Sequence, residues 1–246
     1  MKKLLGLILL LAIFPLTGCG NLNRQTEAES VHEANSGVDL NEVHKKKALW
    51  EKKLHSAKIQ TIGPNQMEDI AFLPTSLDEL KTHNNIVANG TIVDLEKMTG
   101  NHDSAFTKIS MHVEKILYGK KTFYNKTIVF FLNSGFIDNP SQKDYNYIAS
   151  SEVPIPKIGS KIIAGFNPLN IDPKNFDGPD EFFYKNGVGG KNAFIVNIPI
   201  YNLWVQNEGE SKYKPNNPTL LKDTKDNWYS KKILSLTKDL NKLMNK

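Results

Sequence analysis

The chain contains little of three features that would each indicate a class of protein. Cys19 is the single cysteine in 246 residues, which excludes an intrachain disulfide and a zinc site built from cysteines. Arg24 is the single arginine, so nearly all of the positive charge belongs to lysine. The longest apolar run, residues 4–16, is shorter than the ~20 residues that a helix needs to cross a bilayer. A protein with several membrane spans is therefore excluded.

The overall composition is that of a folded domain with a modest positive charge. Hydrophobic residues make up 39% of the chain and charged residues 23%, a balance that excludes a fully disordered chain. The formal net charge is +5. A length of 246 residues suffices for one good-sized domain with attachments.

The N-terminus has the parts of a bacterial export signal. Lys2 and Lys3 form a short positive region, the apolar run follows, and the run ends in Leu16-Thr17-Gly18-Cys19. This tetrapeptide resembles the lipobox of bacterial lipoproteins, a Leu-x-small-Cys pattern that directs lipid transfer to the cysteine sulfur and cleavage just before it. The alternative is an ordinary secretory signal with a chance cysteine.

The resemblance to lipoproteins implies a processing site, a lipid and a location. Residues 1–18 would be the signal peptide, cleaved between Gly18 and Cys19. Cys19 would carry diacylglycerol and palmitate-type acyl chains, with no other cofactor. Because two acyl chains anchor a protein stably, we expect the chain at the outer face of the cytoplasmic membrane of a Gram-positive cell. Nucleic acid is not an expected partner there.

A tether and a helix are predicted between the lipobox and the main domain. Residues 19–39 are polar and lack apolar periodicity, which predicts a flexible tether with a reach of about 25 Å. In residues 40–62 apolar side chains recur at roughly helical spacing among many lysines, which predicts one amphipathic helix within a helical lead-in of residues 40–75. Lysines 45–47 and 52–53 could contact anionic lipid headgroups or form a solvated face.

Five segments have the residue patterns of β-strands. No helix-length periodic segment separates the first three of them, which argues against a βαβ fold. We therefore expect a mainly β fold with flanking helices, in which an OB-like five-stranded antiparallel barrel occupies residues 76–220. The predicted strands are residues 86–95, 107–113, 127–132, 161–166 and 193–200.

Three local patterns add detail to this expectation. Ser76 followed three residues later by Glu79 predicts a capped helical turn. Asn89-Gly90 predicts a bend within one strand, although a tight hairpin turn is the alternative. The final segment, residues 221–246, is predicted to contain an amphipathic helix from residue 226 that packs on the barrel or binds a partner. Its apolar face would comprise Ile233, Leu236, Leu240 and Leu243.

Residues 80–135 resemble a pattern found in uncharacterised lipoproteins of low-GC Gram-positive bacteria. The pattern consists of an Ile-Val-x-x-Gly strand, a strand ending in Val-x-Lys-Val-Leu-Lys-Gly, and a strand leading to a glycine. It matches here at residues 86–92, 113–119 and 128–135, with Tyr118 where lysine is usual. The same outline resembles netrin-like and metalloprotease-inhibitor OB-type barrels. Those inhibitors place a free N-terminal cysteine on zinc, a role that an acylated Cys19 could not take.

No motif in the sequence predicts catalysis or a metal site. The six histidines include no His-Glu-x-x-His pair, so a metal site would have to be assembled across strands. His102-Asp103-Ser104 lies in a polar loop, and adjacency alone does not make a catalytic triad. Residues 175–181 supply oxygen ligands beside a glycine, but Pro173 occupies the first position of the calcium-loop spacing, which favours a surface turn. We predict no catalytic and no metal-binding residue.

Two long connections are the candidate binding regions. Residues 133–160 and 167–192 exceed the ~12–15 residues of an ordinary loop. The second is rich in aromatic residues, which suit stacking on sugar rings or anchoring of a protein partner, unless they fold back to cap the barrel. The candidate binding residues are Phe176, Phe182, Phe183 and Tyr184, with Tyr201 and Trp204 shortly after the last predicted strand.

These observations favour a lipid-anchored, non-enzymatic binding or interaction module of the cell envelope. The partners expected are the membrane, through the lipid, and either a cell-wall glycan or a surface protein. One alternative is an envelope enzyme without a recognisable motif. The other is the solute-binding subunit of a transporter, which would require two α/β lobes that the strand pattern does not provide.

Overall fold

The computed structural model describes residues 38–63, 72–100, 104–137, 145–222 and 227–245. The predicted signal peptide and lipobox, nearly all of the tether, and His102 and Asp103 lie outside these residues. The helices are α1 (Leu40–His55), α2 (Leu77–Thr82), α3 (Asp180–Lys185), α4 (Pro199–Asn202), α5 (Thr219–Lys222) and α6 (Trp228–Met244).

The fold is mainly β, with helices at the two ends of the described chain. The strands are β1 (Ile59–Ile62), β2 (Ile86–Lys97), β3 (Thr107–Tyr118), β4 (Thr127–Leu132), β5 (Gly135–Phe136), β6 (Tyr147–Ser150), β7 (Lys161–Pro168), β8 (Phe194–Val196), β9 (Leu203–Gln206) and β10 (Lys214–Pro215).

Seven of the strands form one antiparallel sheet. Its order is β10-β9-β7-β2-β3-β4, and β8 also pairs with β7. A second sheet has the order β1-β6-β5, in which β1 runs parallel to β6. The predicted strands at β2, β3, β4 and β7 are confirmed.

The large sheet is not a closed barrel in the described residues. Between β4 and the chain just before β8 there is a single parallel bridge, from Val129 to Ala193. The expected five-stranded OB-like barrel is therefore not established, whereas the mainly β class with terminal helices is.

The helix predicted over residues 40–62 is wrong in its second part. α1 ends at His55, and Ile59–Ile62 form β1. The pairing of Ile59 with Tyr147, far along the chain, explains the error. Strand pairing with a distant segment is a tertiary contact that local periodicity does not report.

The strand predicted over residues 193–200 is also shorter than expected. β8 ends at Val196, because Ile198 takes a left-handed backbone conformation with φ of 47°. Pro199 then occupies the first turn of α4, where its missing N–H costs nothing. A proline at this position favours the start of a helix over the continuation of a strand.

Two local predictions are confirmed, one of them with a displaced capping box. Ser76 caps α2, its hydroxyl accepting a hydrogen bond from the Glu79 amide at 3.2 Å. The Glu79 carboxylate bonds the Thr75 amide at 2.7 Å rather than that of Ser76, so the capping box is displaced by one residue. Asn89-Gly90 lies inside β2 at a register shift against β3, as a bend in one strand requires.

α1 lies against the large sheet and is held there by apolar contacts and one ion pair. Asp39 caps its N-terminus, its carboxylate accepting from the Asn41 amide at 2.9 Å. Val43 and Trp50 are buried in the main core. Lys46 Nζ lies 2.7 Å from Asp94 Oδ2 on β2. The helix that follows the predicted tether is therefore part of the folded body.

Candidate functional site

A groove of about 640 Å³ lies beside the C-terminal half of α1. Trp50 and Leu54 of α1 form one side, and Leu95 of β2 and Tyr147 of β6 contribute to its lining. The segment containing residues 155–158 forms the rest of the wall. The surface of the groove is largely apolar.

Charged groups occur at the rim of the groove. Lys47, Glu51 and His55 come from α1, and Lys157 comes from the opposite wall. Lys47 is paired with Glu208 at 2.6 Å, and this hydrogen bond raises the pKa of Lys47 and lowers that of the carboxylate. Lys157 and His55 have no ion-pair partner among the described residues. Lys157 is therefore an unpaired positive charge in the lining of the groove.

Tyr147 has a largely buried side chain that contributes to the lining of the groove. Its side chain is only 6% exposed, and its ring packs edge-on against Phe136 at 5.0 Å. Burial raises the pKa of Tyr147 to about 12, so the hydroxyl keeps its proton at neutral pH. Within the described part of the chain this hydroxyl has no hydrogen-bond partner. It is therefore the polar group in the groove lining that is best placed to bind a ligand oxygen.

A smaller hollow of about 450 Å³ also has Trp50 in its lining. Phe136, Lys53 and Asn146 are among its lining residues. Trp50 therefore contributes to both the groove and the hollow. The Trp50 ring is fixed there by an edge-on contact with Phe136 at 5.2 Å.

The aromatic residues predicted as a binding loop do not form one surface. Phe182 and Phe183 pack against the end of the large sheet, with the Phe183 ring stacked on Phe131 at 4.3 Å. Both also contact Phe106. These two side chains cap the sheet, as the alternative interpretation of the loop expected.

The other four candidates lie in three different places. Phe176 and Tyr184 are exposed, and their ring centroids are 5.6 Å apart. Tyr201 lies in α4 with its ring 6.5 Å from that of Tyr229. Trp204 lies in β9 and is 0% exposed, so it is a core residue rather than part of a binding surface.

The histidines and acidic residues do not converge on a centre in the described ranges. His112 is buried in β3, with Nε2 3.0 Å from Asn125 Oδ1. No group of three or more potential ligand side chains is placed to hold a metal ion within the described part of the chain. Asp177 lies on an exposed turn before α3, and Asp180 is the first residue of that helix.

The helices have two further properties. None of the helices in the described ranges is both long enough and apolar enough to cross a bilayer. The outward face of α1 exposes Leu49 between Lys45, Lys52 and Lys53.

The groove is not apparent in the sequence, because its walls come from segments that are far apart in the chain. Trp50 and Leu54 were recognised only as part of an amphipathic helix. Tyr147 and residues 155–158 lay in the connection 133–160, where no apolar periodicity was visible. The one available signal was the length of that connection, which was noted as unusual. No protein-family model matches this chain, and no curated protein matches it either.

Proposed function

We propose that this chain is a lipid-anchored, non-enzymatic binding protein of the cell envelope that holds its ligand in the groove beside α1. One observation carries the binding assignment: a groove of about 640 Å³ is lined mainly by apolar side chains, among them that of Tyr147, whose hydroxyl has no hydrogen-bond partner in the described part of the chain. Ligand sites are typically concave and apolar, with a few polar groups that orient the ligand, and ~300–1,000 Å³ in volume.

The proposed anchor rests on the sequence Leu16-Thr17-Gly18-Cys19 after a short apolar run. The first element of the described body, α1, begins soon after the predicted tether. With a tether reach of about 25 Å, the groove would lie close to the outer membrane surface. Lys45, Lys52 and Lys53 on the outward face of α1 would then be near lipid headgroups, where basic residues are favoured.

The proposed core is an incompletely closed OB-like barrel. Five strands support this, in the order β4-β3-β2-β7-β8. The chain before β8 also reaches β4 in a parallel direction, because the Val129 amide donates to the Asn192 carbonyl at 2.9 Å. OB-folds are themselves partly open five-stranded barrels. In this proposal β9, β10 and the second sheet are additions to that core.

The anchor is tested by fractionation of cells that express Cys19→Ala. We expect the variant to leave the membrane fraction and to incorporate no labelled palmitate, because the thiol that would carry the lipid is removed. Cys19→Ala found in membranes and labelled to the level of the unchanged protein would refute the anchor.

The groove is tested with N-phenyl-1-naphthylamine, an uncharged probe that fluoresces in apolar sites. The protein used is the predicted mature chain, residues 19–246, carrying Cys19→Ser so that no lipid is attached. Ala57 lines the groove, so Ala57→Trp should fill it and abolish saturable uptake of the probe. Ala48→Trp, on the exposed face of α1, is the matched control and should bind normally. Equal uptake by the two variants would refute the groove as the site.

A further inference from the structure

We infer that the groove binds an anionic phospholipid of the adjacent membrane, with an acyl chain on its apolar lining and the headgroup at its lysine rim. This inference rests on the proposed function, since it names the ligand class of the same site. It is carried by three properties of the groove: an apolar interior, a hydroxyl without a partner, and unpaired positive charge at the edge.

The interior of the groove favours a hydrocarbon over a polar ligand. Trp50, Leu54, Leu95 and Ile158 supply the apolar lining. A sugar or a nucleotide would bury hydroxyls or phosphates against these side chains without hydrogen-bond partners, which is unfavourable. An acyl chain loses no hydrogen bond there and removes apolar surface from water.

The Tyr147 hydroxyl provides one polar contact inside this apolar surface. The Tyr147 hydroxyl has no hydrogen-bond partner in the described part of the chain and is accessible to solvent, so it is free to bond a ligand oxygen. The hydroxyl is protonated at neutral pH and can donate to an ester carbonyl or phosphate oxygen of a lipid.

The charges facing the groove favour an anionic headgroup. Lys157 has no ion-pair partner within the described residues, whereas Lys47 is neutralised by Glu208. Glu51 is the one acidic residue in the lining. Lys53, at the adjoining hollow, adds a further unpaired cation. The proposed tether keeps this rim near a membrane, which makes a membrane lipid the source of the anion.

The first experiment measures the ligand class by isothermal titration calorimetry. The mature chain with Cys19→Ser is titrated with palmitoyl-lysophosphatidylglycerol, with palmitoyl-lysophosphatidylcholine and with glycerol phosphate. We expect saturable one-to-one binding of the first, at least about ten-fold weaker binding of the second, and none of the third. Equal affinity for the two lysolipids, or binding of glycerol phosphate alone, would overturn the inference.

The second experiment assigns the contacts. Tyr147→Phe and Lys157→Ala should each weaken lysophosphatidylglycerol binding about three- to ten-fold, since each removes one hydrogen bond or charge. Lys191→Ala, at an exposed lysine outside the groove lining, is the control and should bind normally. Unchanged binding in both groove variants would contradict the assignment.

The uncharged probe distinguishes a failure of the proposed ligand class from a failure of the proposed binding site. If N-phenyl-1-naphthylamine occupies the groove but the lysolipids do not, the ligand class is wrong and the binding site stands. If neither the probe nor the lysolipids bind, the groove is not a ligand site and the proposed function is wrong as well.

Discussion

Trp204 Nε1 donates a 2.9 Å hydrogen bond to Thr237 Oγ1 and so joins β9 to α6. Both side chains are buried, and the Thr237 hydroxyl in turn donates to the Ile233 carbonyl at 2.6 Å. Leu236 and Leu240 of α6 pack in the same cluster as Trp204. The C-terminal helix is therefore part of the body of the protein, as the packing interpretation of its apolar face expected.

This relationship predicts a large effect of Trp204→Phe. The substitution leaves a cavity and leaves the Thr237 hydroxyl without its donor, so we expect a loss of about 2–4 kcal/mol in the free energy of unfolding. Urea denaturation followed by circular dichroism measures it. Trp228→Phe is the matched control, because Trp228 is 54% exposed and its replacement should change stability by less than about 0.5 kcal/mol. Equal effects of the two substitutions would contradict the core assignment.

The aromatic loop predicts a contrast between two neighbouring residues. Phe183 stacks on Phe131, so Phe183→Ala should cost about 2–3 kcal/mol, less than the ~3–5 kcal/mol of a fully buried phenylalanine because the ring is half-buried. Tyr184→Ala should cost less than about 1 kcal/mol, since that side chain is exposed. Thermal melts of both variants test this. A Phe183→Ala variant as stable as Tyr184→Ala would favour a ligand-binding loop over a cap.

Gly90 predicts a substitution that the sheet will not tolerate. A Cβ at Gly90 would collide with the backbone carbonyl of His112 on β3. Gly90→Ala should therefore separate β2 from β3 locally and cost at least about 3 kcal/mol, or prevent folding. Gly63→Ala is the control, because a Cβ there meets open space. Soluble yield and melting temperature of the two variants are compared, and a stable Gly90→Ala would show that the strands are further apart.

Two buried tyrosines predict a loss of stability at high pH. Burial raises the pKa of both Tyr147 and Tyr213 to about 12, above the ordinary value near 10. Between pH 10 and 12 the unfolded chain releases these protons and the folded chain retains them. Each tyrosine should therefore lower the free energy of unfolding by about 1.4 kcal/mol per pH unit in that interval. Below pH 10 their contribution is fully present.

The measurement is the melting temperature between pH 9 and 11.5. Tyr147→Phe should flatten the alkaline decline, because it removes one of the two groups. Tyr124→Phe is the control, since Tyr124 is exposed and its loss should leave the decline unchanged. A decline of the same steepness in all three proteins would show that Tyr147 ionises in the folded state as readily as in the unfolded chain.

The sequence predicts the elements whose stability is local or whose pattern is regular. β3 alternates apolar and polar residues and lies where it was expected. α6 has a clear apolar face, and Asn227 caps it with a hydrogen bond from the Tyr229 amide at 2.9 Å. Ser76 and Asn89-Gly90 are recognisable because each acts through its immediate neighbours.

The elements that the sequence does not predict depend on partners that are distant in the chain. β5 and β10 contain two residues each, too few for any periodicity. β1 exists because β6 pairs with it, and the two are separated in the chain by β2, β3, β4 and β5. The groove has the same origin, since its lining comes from α1, β2, β6 and residues 155–158. The aromatic content of residues 167–192 did not identify a binding site, because aromatic residues cover a hydrophobic surface as readily as they bind a ligand.

Adjacent residues of β7 belong to different hydrophobic clusters. The stability of one cluster is therefore coupled to the stability of the other. Ile162 faces the main cluster with Trp50, and Ile163 faces the cluster with Trp204. Val87 and Ala88 of β2 are divided in the same way. Neither cluster can lose its packing while these strands stay in place, so the body should melt as one cooperative unit. A fluorescence transition from Trp50 and one from Trp204 should then coincide, even though the two rings are on opposite sides of the sheet.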